Sequence, residues 1–134
     1  MRSVTSKALL ICATLVLGFG AGAATKALPP VSTTEAAVTV KVTPRSLDGA
    51  TWEFDVVMDT HAQDLTDDLV KTAALVVSDG SEIRPLEWKG APPGGHHRAG
   101  VLRFKAPDPV PSFVVLKIAR PAESKPRVFQ WKLK

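Results

Sequence analysis

The chain has 134 residues, 45% of them hydrophobic and 22% charged, with one cysteine, no tyrosine and a formal charge of +4. That length holds one small hydrophobic core and leaves no room for a multidomain enzyme. The 17 basic residues against 13 acidic ones raise nucleic acid or an anionic membrane as partners, a suggestion the distribution of the charges argues against.

Residues 1–24 contain no acid. Arg2 and Lys7 form a basic start, residues 8–19 an apolar run broken by Gly18, and Ala21-Gly22-Ala23 offers small side chains to a signal peptidase. The expectation is a signal peptide over 1–23, because the unbroken apolar run is shorter than the roughly 20 residues that span a bilayer. Ile11 ahead of Cys12 stands where a lipoprotein needs a small residue. Loss of Arg2 and Lys7 lowers the charge to about +2, and the processed chain has no thiol. A secreted or periplasmic protein with no transmembrane span after cleavage is expected, stable through burial and without disulfides.

Residues 24–36, with Pro29, Pro30 and a Ser-Thr-Thr run, show no apolar period and read as a flexible lead-in to a domain over 37–134. Period two then begins. Val38, Val40 and Val42 alternate with polar neighbours, and after a turn at Leu47-Asp48-Gly49 so do Trp52, Phe54, Val56 and Met58. Within 62–71 a helical turn capped by Asp64 or Thr66 fits. Residues 72–78 form a nearly continuous apolar run suited to a central strand, and Asp79-Gly80 reads as a hairpin turn into a strand over 82–88. Pro85 makes that segment an edge strand or the site of a bulge, and an edge protected by proline argues for a monomer. Residues 101–105, 112–119 and 127–133 complete the set, with Leu102, Phe104, Val114, Leu116, Ile118, Phe129, Trp131 and Leu133 inward. Trp52, Trp88 and Trp131 read as core. Seven short strands with turn signals between them predict an all-β, seven-stranded antiparallel immunoglobulin-like sandwich, with a barrel as the other solution.

Two connections, 59–69 and 89–100, are longer and chemically denser than a hairpin needs, and hold all three histidines. Asp59-Thr60-His61, followed by Asp64-Leu65 and Asp68-Leu69, then Trp88 and Pro92-Pro93-Gly94-Gly95-His96-His97-Arg98, resembles an uncharacterised family of short exported bacterial all-β proteins. The resemblance runs from about residue 38 to 133 and implies an exported all-β domain, with no activity, cofactor or catalytic residue attached.

Read from the residues alone, His61, His96 and His97 would form a copper or zinc site if the loops met, with Asp59 or Asp64 as a fourth ligand. The simpler reading is that His61 and one of the His96-His97 pair bond to Asp59, Asp64 or loop carbonyls and pin the loops together, with Arg98 paired to an acid. Calcium at Asp64, Asp67 and Asp68 is a third reading, but the ordered ligands and glycine of a calcium loop are missing and these acids read as a solvated loop. No nucleophile motif or phosphate-cradling loop points to an enzyme.

Between residues 46 and 70 stand seven acids and no lysine or arginine; from 84 to 134 there are eleven bases and three acids. If the strand of Glu53 and Asp55 lies beside one carrying Arg103, Lys105 or Lys117, these charges offset one another. Export and the lack of basic residues interleaved with stacking aromatics exclude nucleic acid. What remains is a non-enzymatic domain that binds or scaffolds an unknown envelope protein or ligand, with Asp59, His61, Asp64, His96, His97 and Arg98 as the binding candidates. The alternative is a periplasmic transition-metal binder using His61, His96 and His97.

Overall fold

The computed structural model describes residues 27–134, so the signal peptide expected over 1–23 lies outside the described residues. Side chains that alternate β-branched or aromatic with polar favour extended chain with one face to bury. The strands are β1 (Val31–Glu35), β2 (Val38–Ser46), β3 (Thr51–Thr60), β4 (Ala73–Val76), β5 (Glu82–Ile83), β6 (Pro85–Gly90), β7 (His97–Lys105), β8 (Phe113–Ile118) and β9 (Arg127–Lys132), with one helical turn, α1 (Leu69–Thr72). They form two antiparallel sheets, ordered β1-β2-β3-β7-β6 and β5-β4-β8-β9.

The inward faces meet as alternation requires. Val38, Val40, Val42, Trp52, Phe54, Val56, Met58, Leu102 and Phe104 from the first sheet pack on Leu75, Val114, Leu116, Ile118, Phe129 and Trp131 from the second. Phe54 lies at the centre, edge-on to Phe104 with ring centroids 5.8 Å apart and tilted against Trp131 at 5.7 Å. Such contacts add about 1 kcal/mol each to the burial itself. Trp88 is half-buried against this core.

The structure departs from the sequence expectations in three places. The described residues form nine strands and not seven, because part of the lead-in is ordered and one expected strand divides. Residues 31–35 of the supposed flexible segment pair with β2 as an edge strand. They are tied down by Trp131 Nε1, which donates to the Pro29 carbonyl at 2.8 Å, and by Arg127, whose NH2 donates to the Glu35 carbonyl at 2.8 Å. The strand expected over 82–88 splits at Arg84: β5 pairs with β4 in one sheet, and β6 crosses to the edge of the other beside β7. Pro85 cannot donate to a ladder, so the crossing falls where a ladder bond is already lost. The register shift between Pro85 and Glu87 follows from it. Finally, the helical turn begins after Asp68, whose side chain makes no capping bond, and neither Asp64 nor Thr66 caps it.

The β1–β2 connection is a two-residue hairpin in which Ala36 (φ 46°) and Ala37 (φ 61°) are both left-handed. A primed turn demands this geometry, which glycine or asparagine adopts readily and alanine does not. The turn is held from outside, by Thr60 Oγ1 donating to the Ala37 carbonyl at 2.8 Å and Gln63 Nε2 to the Ala36 carbonyl at 2.9 Å.

The acidic and basic thirds interleave. Glu53 lies opposite Arg103 across β3 and β7, 3.1 Å from its Nε; Arg103 also bonds Glu87 on β6, and Arg45 reaches Asp55 at 3.5 Å. Glu87, ahead of other carboxylates, raises the Arg103 pKa. In the other sheet Lys117 on β8 bonds Glu82 on β5. Cross-strand pairing thus offsets Arg45, Arg103 and Lys117 against acids of the neighbouring strands.

Two predictions follow from the hairpin and the Glu82 pair. Ala37→Gly relieves left-handed strain and raises stability by about 0.5 to 1 kcal/mol, read as a melting temperature higher by about 3 to 5 °C; an unchanged or lower value refutes the strain. Lys117 holds the Glu82 carboxyl below its ordinary range, first by hydrogen bond and then by charge. The folded state therefore releases that proton more readily than the unfolded one. The stabilisation is present above the unfolded carboxylate range and is lost as pH falls through the lower folded value. Glu82→Gln should make the fall in urea midpoint between roughly pH 5 and 3 shallower, and an identical slope would show that the pair contributes nothing.

Candidate functional site

One end of the sandwich gathers the Ala36-Ala37 turn, the 61–68 loop after β3 and the 91–96 loop before β7. These two loops are braced by backbone bonds that two glycines make possible. Leu65 N donates to the Gly95 carbonyl at 3.0 Å and Gly94 N to the Leu65 carbonyl at 2.8 Å, with Gly94 and Gly95 at φ 115° and 74°. Thr60 N donates to the His96 carbonyl at 2.9 Å. Leu65 from the first loop and Leu69 at the start of α1 reach into the core and fix its path.

Arg98 completes the brace. The sequence pairs it with an acid, but it is 1% exposed and its donors go to carbonyls. NH1 meets Asp67 O at 2.7 Å and Leu65 O at 3.3 Å; NH2 meets Ala91 O at 3.3 Å. The guanidinium lies 5.6 Å from the Trp88 ring centre, a cation–π contact, and Trp88 Nε1 donates to the same Ala91 carbonyl at 2.9 Å. Trp88 can lie flat because Gly90 and Gly100 face each other across β6 and β7; a Cβ on Gly100 would come within 2.6 Å of both the Lys89 carbonyl and the indole. Burial lowers the Arg98 pKa, opposed in part by Asp67 and Asp68, yet a guanidinium stays charged. Its withdrawal from water is offset only while both loops keep their carbonyls on it.

A second buried chain of charge runs behind the loops. Asp67, read from sequence as solvated, is buried and takes a two-pronged bond from Arg120, Nε at 3.0 Å and NH2 at 3.1 Å. Arg120 NH1 lies 3.5 Å from Glu123, whose carboxylate accepts from Arg127 Nε at 2.8 Å. Arg127 in turn donates to the Val38 and Glu35 carbonyls, both at 2.8 Å. The 61–68 loop, the β8–β9 connection and β1 are thereby joined through buried charge.

The histidines lie outside this brace. His97 and Asp59 face each other in register on β7 and β3, and His97 Nδ1 bonds the Asp59 carboxylate, the two side chains being 64% and 55% exposed. His61, Asp64 and His96 are also exposed. The structure thus brings together Asp59 and His97 from the predicted set and buries Arg98 beneath them. His61, His96 and His97 do not form a ligand set: among the described residues no group of three or more His, Cys, Asp or Glu side chains is placed to hold a metal ion. Nor do Asp64, Asp67 and Asp68 act together, because Asp67 is taken up by Arg120 and Asp68 lies 3.5 Å from Lys71. The pinning expected of the histidines is done by the arginine between them and the core.

Two cavities open at the opposite end. One of about 590 Å³ is lined by Leu28, Pro44, Leu47, Val110 and Leu133, with Arg45 and Asp48 also on its wall. A smaller one of about 370 Å³ lies between the β4–β5 turn and the proline-rich segment before β8. No protein-family model matches the chain, and no curated protein or solved structure is significantly similar to it.

Sequence reasoning missed Asp67, Arg120, Glu123 and Arg127. For the arginines a signal was present: Arg98 shares strand parity with Leu102 and Phe104, Arg120 with Leu116 and Ile118, and Arg127 with Phe129 and Trp131. Each stands on the inward face, at or just beyond a strand end.

Removing one partner of the buried pair strands the other charge. Arg120→Met is expected to lower unfolding free energy by about 3 to 5 kcal/mol, and Asp67→Leu with Arg120→Met to recover most of that loss. Urea unfolding of the single and double variants measures both; a single variant costing under about 1 kcal/mol would place the pair in the class of weak surface bridges.

Proposed function

We propose that this chain is an exported, non-enzymatic, immunoglobulin-like β-sandwich that binds or scaffolds a partner at the cell envelope through its braced loop surface. The observation that carries this reading is the division of labour at the loop end. Arg98 fixes both loops from below, while Asp59, His61, Asp64, His96 and His97 remain exposed above. Loops already ordered lose less entropy on binding, so the surface suits recognition.

The immunoglobulin-like part of the reading is supported by strand order. Setting aside the added edge strand β1, the order β2-β3-β7-β6 against β5-β4-β8-β9 follows the A-B-E-D and C′-C-F-G arrangement of that architecture. The exported, envelope part rests on the basic and apolar pattern of residues 1–23 and on the resemblance to short exported bacterial proteins. A protein or small ligand is favoured over nucleic acid because Arg84, Lys89, Arg103, Lys117, Arg120 and Arg127 each stand beside a carboxylate. No helix among the described residues is long and apolar enough to cross a membrane.

One observation favours the second reading, a periplasmic copper or zinc binder using His61, His96 and His97. A carboxylate on Nδ1, as Asp59 provides for His97, leaves Nε2 free to ligate.

A variant combining His61→Ala, Asp64→Ala, His96→Ala and His97→Ala tests both readings. It should keep the wild-type melting temperature yet lose the partner that the wild type captures from an envelope extract. Equal capture by the two forms overturns the loop-surface reading. Copper or zinc in excess should leave the wild-type melting temperature unchanged; a rise that the variant lacks would establish the metal reading instead.

A further inference from the structure

β1 is the edge strand of its sheet and the first element of the described residues, so it can leave the fold without unthreading any other element among them. Its apolar anchorage is slight: Leu28 and Val31 are half-buried, while Ser32, Thr34 and Glu35 are exposed. What holds it is a ladder to β2, from Val31 opposite Val42 to Glu35 opposite Val38, together with the bonds from Arg127 to its Thr33 and Glu35 carbonyls and from Trp131 to the carbonyl of Pro29 just ahead of it. An identical strand from another molecule would satisfy these bonds equally well. The connection to β2 is different. Ala36 and Ala37 are left-handed only because the chain must turn back on itself, and that cost vanishes when the same residues run straight on into β2.

We propose that the chain exchanges its β1 arm with a second copy of itself. Residues 27–35 of each copy lie on β2 of the other, and Ala36-Ala37 is the hinge. A terminal arm, contacts that any copy can remake and a short strained hinge are the conditions under which exchange gives a closed twofold dimer at low cost. Pro29-Pro30 stiffens the arm and reduces the entropy lost when it docks. Thr60 and Gln63, which donate to the two hinge carbonyls in the closed form, oppose the opening. Gln63 is half-buried and Thr60 buried, so each must find a replacement acceptor. The monomer expected from Pro85 concerns β6, the other edge of the sheet. Exchange at β1 does not depend on the loop-surface function.

The test is light scattering on the purified chain across roughly 10 μM to 1 mM, a span suited to a weak dimer. The dimer fraction should rise with concentration. Ala37→Pro, whose fixed φ forbids the turn, should shift the equilibrium at least about tenfold toward dimer. Ala36→Asn with Ala37→Gly, the pair a primed turn prefers, should shift it at least about tenfold toward monomer. Thr34 and Thr39 are opposed in register with their hydroxyls 2.9 Å apart, so Thr34→Cys with Thr39→Cys, in a Cys12→Ser background, reports which chain supplies β1. Oxidised protein from the dimer peak should run as a covalent dimer on a non-reducing denaturing gel. An intrachain disulfide from that peak overturns the exchange. So does a wild-type chain that stays monomeric throughout, whether or not Ala37→Pro folds.

Discussion

Three arginines facing inward at or beside strand ends govern this fold. A guanidinium cannot shed its charge to escape burial, so each needs acceptors built around it. Arg98 finds them in the carbonyls of two loops, Arg120 in Asp67 and Glu123, and Arg127 in Glu123 and the carbonyls of β1 and β2. The hydrophobic core would tolerate many loop paths. These cations do not, because any path that removes a carbonyl leaves a buried donor unmatched. The apolar faces therefore hold the sheets together, and the arginines decide where the connections at one end lie.

The same pairing of charge with charge extends to other bases of the chain. Arg103 stands between Glu53 and Glu87, Lys117 beside Glu82, and the two most buried carboxylates serve Arg120 and Arg127. Acids cluster early in the chain and bases late because β3 must pair with β7 and the 61–68 loop must meet the β8–β9 connection. Segregation in sequence becomes neutralisation in space. The exposed groups at the loop end are then polar and mixed, a surface suited to short-range recognition more than to long-range attraction.

Alternation made the sheet faces legible in advance. Val38, Val40, Val42, Trp52, Phe54, Val56, Met58, Leu102, Phe104, Val114, Leu116, Ile118, Phe129 and Trp131 are all buried, since period two leaves one face no other place to go. Pro85 marked an edge strand for an equally local reason. The rest depended on partners far away in sequence. β1 has little apolar pattern of its own and is strand because Arg127, far later in the chain, binds its carbonyls and Trp131 binds that of Pro29 just ahead of it. A carbonyl acceptor leaves no trace in sequence, so the arginine brace is not legible there and the residues alone point to His61 and one of the His96-His97 pair as the pins. Only Asp59 and His97, opposed on neighbouring strands, were recoverable as a pair.

The loop end and the β1 hairpin share two groups. Gln63 lies in the 61–68 loop and its amide donates to the Ala36 carbonyl; Thr60 donates to the Ala37 carbonyl and also accepts from Ala62 N. The left-handed alanines are thus held by Gln63 of the loop and by the buried Thr60 at the end of β3, on which that loop is rooted. Linkage makes such sharing reciprocal: a ligand that engages Gln63 in competition with Ala36 favours the open hinge, and a chain locked closed binds that ligand more weakly by the same factor. A ligand confined to His96 and His97 touches neither hinge bond and is indifferent to the hinge. The position of a partner on the loops, and not its affinity alone, then determines whether it senses the arm.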